Sequence, residues 1–241
     1  IVLIVCGSAT SWIMDKIILD YGGLHNRLTQ RILVSPFTLG ECEKFAEGMD
    51  IVLDRKSLVE AYMIMGGIPY YWGVLQKGQS LAQNIDRLFF SQDSSLRREY
   101  KRLYSTLFNS PDKYCDIIRV MVRNKSGLTR TEIANLLGKQ SSGKLSSMLE
   151  DLEHCDIIRK YNVRDKKVKT TSAIYQIVDM FSLFYLTFNT RAEIEYDYWK
   201  NHLDTAEVNS WLGLSFEKVC LLHTQQIKKA LKIDGISTKS Y

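Results

Sequence analysis

Histidine is scarce in this sequence of 241 residues, and its cysteines stand apart from one another. There are four histidines and five cysteines, no Cys-x-x-Cys pair, and a single Cys/His neighbour pair at His154 and Cys155. Adjacent residues point in different directions and lack further ligands at zinc spacing, so the pattern argues against a metal site. Isolated cysteines in a chain this large favour a reducing, cytoplasmic location.

Long apolar runs are also missing. No stretch reaches the roughly 18 apolar residues of a membrane-spanning helix, so we expect no membrane partner. The opening Ile-Val-Leu-Ile-Val of residues 1–5 is too short for a signal core and has no basic flank. It is typical of a strand buried on both faces of a parallel sheet. Because such a strand needs neighbours, we expect the chain to be a piece of a longer protein.

The charge balance excludes little. The formal net charge is +5, which permits an acidic partner such as nucleic acid but does not require one. Hydrophobic residues make up 45% and charged residues 24%, as in an ordinary globular protein.

The first hundred residues predict short strands followed by helices. A polar turn after the first strand leads to a helix over residues 12–20, and a second strand is predicted over residues 31–34. Thr38 and Glu41 form a capping box that begins another helix. The pattern from residue 56 to 108 is helical, apart from a sharp turn at Gly66-Gly67-Ile68-Pro69.

The segment of residues 111–178 predicts a winged helix-turn-helix. A first amphipathic helix is followed by a second that starts at the capping box of Thr129 and Glu132, turns Ile133, Leu136 and Leu137 inward and ends at Gly138. After a polar turn comes a third helix with Leu145, Met148, Leu149 and Leu152 inward. Two strands around a charged loop complete the wing. The order and spacing match the fold at every step.

Gly138 to Lys144 imitates a phosphate-binding loop. The spacing of Gly138, Gly143 and Lys144 fits, but such a loop needs Ser or Thr next and a strand before it. Here Leu145 follows and a helix precedes, so we interpret the stretch as the turn of the helix-turn-helix.

The third helix and the wing carry residues suited to DNA. The helix start and the wing supply polar and basic side chains for bases and phosphates: Lys139, Gln140, Ser142, Lys144 and Ser146, then Arg159, Lys160, Arg164, Lys166, Lys167 and Lys169. Against this, Glu150, Asp151 and Glu153 make the second half of the helix acidic. The alternative is a structural or protein-binding winged helix.

Taken together, these pieces resemble the bacterial and archaeal ATPases of the AAA-related STAND class. In that family a late core strand ends in a Gly-Ser turn, here Gly7-Ser8, where the polar residue senses the phosphate of ATP; Thr10 is the less favoured choice. An arginine finger precedes the next strand, which the resemblance assigns to Arg27, with Asn26 in place of the usual glycine.

Two later motifs extend the resemblance. Gly67-Ile68-Pro69 resembles the family's GxP motif, whose proline packs beside adenine. Phe216-Glu217 resembles the opening helix of a restriction-nuclease-like domain, with Glu217 as an accessory acid at a magnesium site. The Asp and Glu-x-Lys that complete such a site in the family are expected beyond Tyr241, and no Glu-x-Lys follows Glu217 in this sequence.

The resemblance implies a mainly α protein with small β elements, in four segments. Residues 1–47 are the remnant of a parallel α/β P-loop domain, 48–110 a helical lid, 111–178 the winged helix-turn-helix and 179–241 the start of the nuclease-like domain. The phosphate-binding loop and the magnesium-binding acidic strand should precede Ile1. The intact protein is expected to bind ATP and Mg²⁺, whereas these 241 residues alone should bind neither and should not hydrolyse ATP, since phosphoryl transfer depends on that loop and metal.

Two other functions remain open. One is a non-enzymatic winged-helix regulator that binds DNA and forms a homo-oligomer through its other helices; it should begin with Met and contain no orphan strand. The other is a scaffold module that binds neither nucleotide nor DNA.

Overall fold

The computed structural model describes residues 4, 7, 29–30, 32–138, 142–164, 171–190 and 196–236. In chain order, its first helices are α1 (Leu39–Gly48), α2 (Arg55–Met65), α3 (Pro69–Gly73), α4 (Leu81–Ile85), which continues as a π-helical turn (Asp86–Phe90), and α5 (Ser95–Leu107). There follow α6 (Pro111–Val122), β1 (Leu128–Thr129), α7 (Arg130–Leu136), α8 (Gly143–His154), β2 (Ile158–Arg164) and β3 (Thr171–Ile177). The last are α9 (Met180–Phe184) with a π-helical turn (Tyr185–Asn189), α10 (Tyr198–His202), α11 (Ala206–Leu222) and α12 (Thr224–Ala230).

The described residues are mainly helical, as predicted, and the chain divides into two compact units. We call residues 36–100 with 178–241 the helical unit, and residues 1–35 with 101–177 the mixed unit. The four predicted segments divide the chain at other places, and their functional assignment stays a prediction. Among the described residues, none of the helices has both the length and the apolar character needed to cross a membrane.

Aromatic side chains form the core of the helical unit. The fully buried members include Trp72, Phe89, Phe90, Phe181, Phe184, Phe188 and Trp199. Phe184 meets Trp199 edge to face at 5.0 Å, a geometry that aromatic quadrupoles favour. Both α9 and α11 pack against α2. The helices after residue 178 therefore share a core with those before residue 100.

The two π-helical turns contact each other inside this core. The side-chain amide of Asn189 in the second turn donates a 2.6 Å hydrogen bond to the carbonyl oxygen of Phe89 in the first. Asp86 opens the first turn, and its carboxylate accepts hydrogen bonds from the backbone nitrogens of Trp199 and Lys200, at 2.6 and 3.1 Å. The carboxylate thus caps the start of α10, although burial raises its pKa.

Among its described residues, the mixed unit contains most of α5, the helices α6, α7 and α8, and a small antiparallel sheet. The sheet order is β1-β3-β2, with Leu128 opposite Tyr175 and Ile158 opposite Ile177. Its helices bury the predicted faces, including Ile117, Ile118, Ile133, Leu145, Leu149 and Leu152. The predicted order of three helices and two strands is present among the described residues, and residues 139–141 of the predicted turn lie outside them. The two-residue strand β1 was not predicted, because two residues carry no periodicity of their own.

Both predicted capping boxes are confirmed. The hydroxyls of Thr38 and Thr129 accept from the backbone nitrogens of Glu41 and Glu132, whose side chains bond back to the threonine nitrogens. A third box, which we did not predict, joins Ser80 to Gln83 at the start of α4.

Two expectations are wrong where the structure describes them. The pattern predicts a strand that includes Ile32, Leu33 and Val34, but these residues are not in a sheet and are at least three-quarters exposed, because they pair with no other described segment. The pattern also predicts Leu136 inward, yet it is 55% exposed, since α7 is short and buries Ile133 and Ala134 instead. The strand of residues 1–5 and the helix of residues 12–20 lie outside the described residues, apart from Ile4, which is exposed and not in a strand.

Candidate functional site

The turn between α2 and α3 is held at a glycine with a left-handed backbone. Gly66 ends α2 with a φ of 65°, and its nitrogen donates to the Tyr62 carbonyl at 2.8 Å. The carbonyl of Gly66 accepts from the Trp72 indole, also at 2.8 Å. Both the nitrogen and the carbonyl of this residue are therefore fastened within the helical unit.

Gly67 is in close backbone contact with Phe37, in the segment that precedes α1. The Phe37 nitrogen donates to the Gly67 carbonyl at 2.7 Å, and a Cβ built on Gly67 would press on the Phe37 carbonyl oxygen and lie 2.7 Å from its nitrogen. The Tyr62 hydroxyl donates to that Phe37 carbonyl at 2.9 Å. Burial raises the pKa of the Tyr62 phenol, so it stays a protonated donor. The close approach of the two backbones explains why position 67 is occupied by a residue without a Cβ.

Pro69 begins α3, where a proline needs no amide hydrogen. It is half-buried, and the next residue, Tyr70, is 54% exposed. Tyr71 and Trp72 turn inward, with Tyr71 stacked on Phe181 at 4.5 Å. The turn thus presents Pro69 and one aromatic ring at the surface of a rigidly packed element.

Other residues assigned to nucleotide chemistry are not described. Ser8, Thr10 and Arg27 lie outside the described residues. Their positions relative to Pro69 stay predictions.

The start of α8 presents a basic group in the mixed unit. Lys144 is exposed at the second position of the helix, and the Arg130 guanidinium donates to the Ser146 hydroxyl at 2.7 Å. Arg130 begins α7, so this bond joins the two helices on either side of the turn. Lys139, Gln140, Lys166 and Lys167 lie outside the described residues, and Arg164 is described only as the last residue of β2.

The acidic half of α8 is partly engaged within its own unit. Asp151 accepts a 2.6 Å hydrogen bond from the Tyr114 hydroxyl on α6, and Glu153 accepts from the Lys160 nitrogen on β2 at 3.3 Å. Burial, and then the bond to Asp151, raise the pKa of Tyr114. Of the three acidic residues that argued against DNA binding, Asp151 and Glu153 therefore accept hydrogen bonds from neighbouring elements.

The residues from Gly138 to Lys144, whose spacing resembles a phosphate-binding loop, lie between two helices as predicted. The helix α7 precedes it, and Gly138, with a φ of 64°, follows the end of that helix. Gly143 already begins α8.

Glu217 lies exposed on α11, beside the exposed Phe216. Within the part of the chain that the structure describes, no three His, Cys, Asp or Glu side chains are grouped so as to hold a metal ion. The neighbouring Lys218 has its pKa lowered by burial.

Comparisons with known proteins add one similarity. No protein-family model matches the chain, and no curated protein matches it either. Among solved structures it is similar to one described as the Walker-type ATPase PABY2304 of Pyrococcus abyssi, with 22% sequence identity and a TM-score of 0.49. The match covers 76% of this chain and 51% of that one, so the chain spans about half the length of that structure. At this level of similarity, the function has to be argued from the residues of the chain itself.

Proposed function

We propose that this chain is the C-terminal portion of a STAND-type, AAA-related ATPase that works as a nucleotide-dependent switch. Pro69 packs beside the adenine, Ser8 senses the phosphate and Arg27 is the arginine finger. ATP and Mg²⁺ are held mainly by a phosphate-binding loop and an acidic strand of the intact protein, and these 241 residues include neither. The chain alone does not hydrolyse ATP, because the groups that offset charge in the transition state are missing.

The observation that supports this proposal is the close backbone contact between Gly67 and Phe37. The 2.7 Å bond between them leaves no room for a Cβ, and Tyr62 fastens the same Phe37 residue from α2. Phe37 follows the proposed finger Arg27 by ten positions in the sequence. In the proposed switch, a movement of Phe37 reaches the turn that carries Pro69 through its bond to Gly67.

A ligand shifts a two-state switch only by binding one of its two conformations more tightly than the other. ATP, through its γ-phosphate, favours one position of the segment that ends at Phe37, and ADP favours the other. The rigid turn then passes this difference to α2 and to the helices packed on it.

The test compares this chain with the longer product of its reading frame. Binding of a fluorescent ATP analogue to the longer protein is measured by anisotropy. We expect Pro69→Ala to weaken binding about tenfold, the loss for roughly one to two kcal/mol of apolar contact. Tyr196→Phe, at a residue 90% exposed, is the control. A longer protein without nucleotide affinity refutes the proposal, as does hydrolysis of ATP by the 241 residues alone.

A second candidate function rests on the mixed unit. Its element order and its β1-β3-β2 sheet support a winged helix-turn-helix, and the exposed Lys144 lies at the end of α8 that enters the major groove in such modules. Asp151 and Glu153 bind α6 and β2 of the same unit, so these two acids have a structural role whether or not the chain binds DNA. In this function the chain is a DNA-binding regulator without enzymatic activity, and its affinity for DNA falls steeply as salt is raised.

A further inference from the structure

His223 joins the ends of two helices that are far apart in the sequence. It follows α11, and only 8% of its surface is exposed. Its Nε2 lies 2.8 Å from the backbone nitrogen of Leu39, the first residue of α1, across 184 positions of sequence. Its Nδ1 lies 2.8 Å from the carbonyl oxygen of Val219, one turn earlier on α11.

These two contacts determine where the ring carries its proton. A backbone N–H can only donate, so Nε2 must be the bare, accepting nitrogen. A carbonyl can only accept, so Nδ1 must carry the hydrogen. The arrangement therefore requires the neutral imidazole in its Nδ1–H tautomer.

The contact satisfies a group that a helix cannot satisfy by itself. The first N–H groups of a helix have no acceptor within the helix. At the start of α1 the Thr38 side chain accepts from the Glu41 nitrogen, and His223 accepts from the Leu39 nitrogen. The imidazole is thus a long-range cap of α1. The edge-to-face contact of its ring with Tyr62, at 5.1 Å, keeps it in place.

We propose that His223 is a proton-operated latch between the start of α1 and the end of α11. A second proton on Nε2 and the Leu39 amide hydrogen cannot both occupy the line between the two nitrogens. Protonation and the closed contact therefore exclude each other. The latch is closed while the ring is neutral and opens when Nε2 takes up a proton.

The titratable groups nearby keep one protonation state between pH 5.5 and 8, the range of the test below. Burial raises the pKa of the Tyr62 phenol and raises that of the Cys42 thiol to about 12, so both stay neutral. Hydrogen bonds to Thr38 lower the pKa of Glu41, so it stays ionised. Along the chain, the nearest charged side chains are Lys218 and Lys228, each five positions from His223.

The latch acts on the same segment as the Gly67 turn, but the inference does not depend on nucleotide binding. Leu39 lies two positions after Phe37, whose backbone holds Gly67 and accepts from Tyr62. Opening the latch removes one of the contacts that hold the first turn of α1, next to that contact of Phe37, and leaves the capping box of Thr38 and Glu41. Protonation of His223 therefore acts on the Gly67 turn independently of any ligand.

Nuclear magnetic resonance of the full chain tests the latch directly. At pH 8 we expect the His223 ring to show the Nδ1–H tautomer, and the Leu39 amide to be protected from hydrogen exchange. Between pH 8 and 5.5, after correction for the intrinsic exchange rate, opening at Leu39 should rise about fivefold or more, the factor that one hydrogen bond contributes. An Nε2–H tautomer, or protection of Leu39 that does not change with pH, overturns the proposal.

A matched pair of variants separates the latch from other histidines. His223→Gln keeps an acceptor that does not titrate, so the protection of Leu39 should become independent of pH. His154→Gln, at an exposed position of the mixed unit, should keep the response of the original protein. A pH response that survives His223→Gln contradicts the latch. Should that variant fail to fold, the titration of the unaltered chain decides alone.

Discussion

The hydroxyl of Tyr62 donates a 2.9 Å hydrogen bond to the carbonyl oxygen of Phe37. This bond joins a buried part of α2 to the extended residues before α1, across 25 positions of sequence. Because the Phe37 nitrogen also donates to Gly67, one residue connects α2, the Gly67 turn and the approach to α1.

Removing the Tyr62 hydroxyl should destabilise the protein. Tyr62→Phe leaves the partly buried Phe37 carbonyl without this donor, and we expect the free energy of unfolding to fall by about 1–2 kcal/mol. Urea denaturation measures the change, and Tyr196→Phe, which removes a hydroxyl from an exposed ring, should change it by less than about 0.5 kcal/mol. Equal effects from the two variants would contradict the role assigned to the bond.

A methyl group at Gly67 should be poorly tolerated. Gly67→Ala forces apart the backbones of Phe37 and Gly67, and we expect a loss of at least about 2 kcal/mol or failure to fold. Gly213 is the control, because it lies within α11 and a Cβ added there would meet no atom within 4 Å. Gly213→Ala should stabilise the helix by about 0.5–1 kcal/mol. Thermal unfolding of both variants measures the contrast.

The stability of the chain should decline in alkali because of buried tyrosines. Burial raises the pKa of Tyr71 in the folded state, whereas an unfolded phenol titrates near about 10. Stability is therefore fully present below that pH and falls as the pH rises above it, since the unfolded chain releases the proton first. Tyr71→Phe should make the decline shallower, and the exposed Tyr70→Phe should not. Urea unfolding between pH 9 and about 11 supplies the comparison.

Lys144 supplies the test of the DNA-binding candidate. If the start of α8 contacts phosphate, Lys144→Gln weakens binding to all sequences and lowers the slope of log affinity against log salt by about 1. Fluorescence anisotropy with a duplex measures this. Lys56→Gln, at an exposed residue of the helical unit, should leave the slope unchanged. A chain that binds no duplex at low salt would remove the candidate.

Local chemistry made some elements predictable from the sequence. Thr38 with Glu41, and Thr129 with Glu132, lie three positions apart, and the capping bond needs nothing beyond those positions. The faces of α6 and α8 follow from the helical repeat, because their buried residues recur every three or four positions.

Contacts between residues far apart in the sequence could not be predicted from such local patterns. The bond of His223 to Leu39 spans 184 positions, and no local signal marks either partner. The same holds for Phe37 and Gly67, whose glycine is visible in the sequence although its neighbour is not. Of the candidate site, the sequence therefore indicated Gly67 and Pro69 but not the bonds from Phe37 to Gly67 and from Tyr62 to Phe37, which hold the turn in place.

The paired π-helical turns constrain how this chain tolerates changes in length. The hydrogen bonds of such a turn span one residue more than those of the α-helix that precedes it. Deleting Leu88 from the turn at Asp86–Phe90 would shift Phe89 and Phe90 by about 100° around the helix axis relative to α4. The Phe89 carbonyl oxygen would then be displaced from the Asn189 amide that donates to it. The number of residues in these turns, as well as their side chains, therefore determines whether the bond between Asn189 and Phe89 can form.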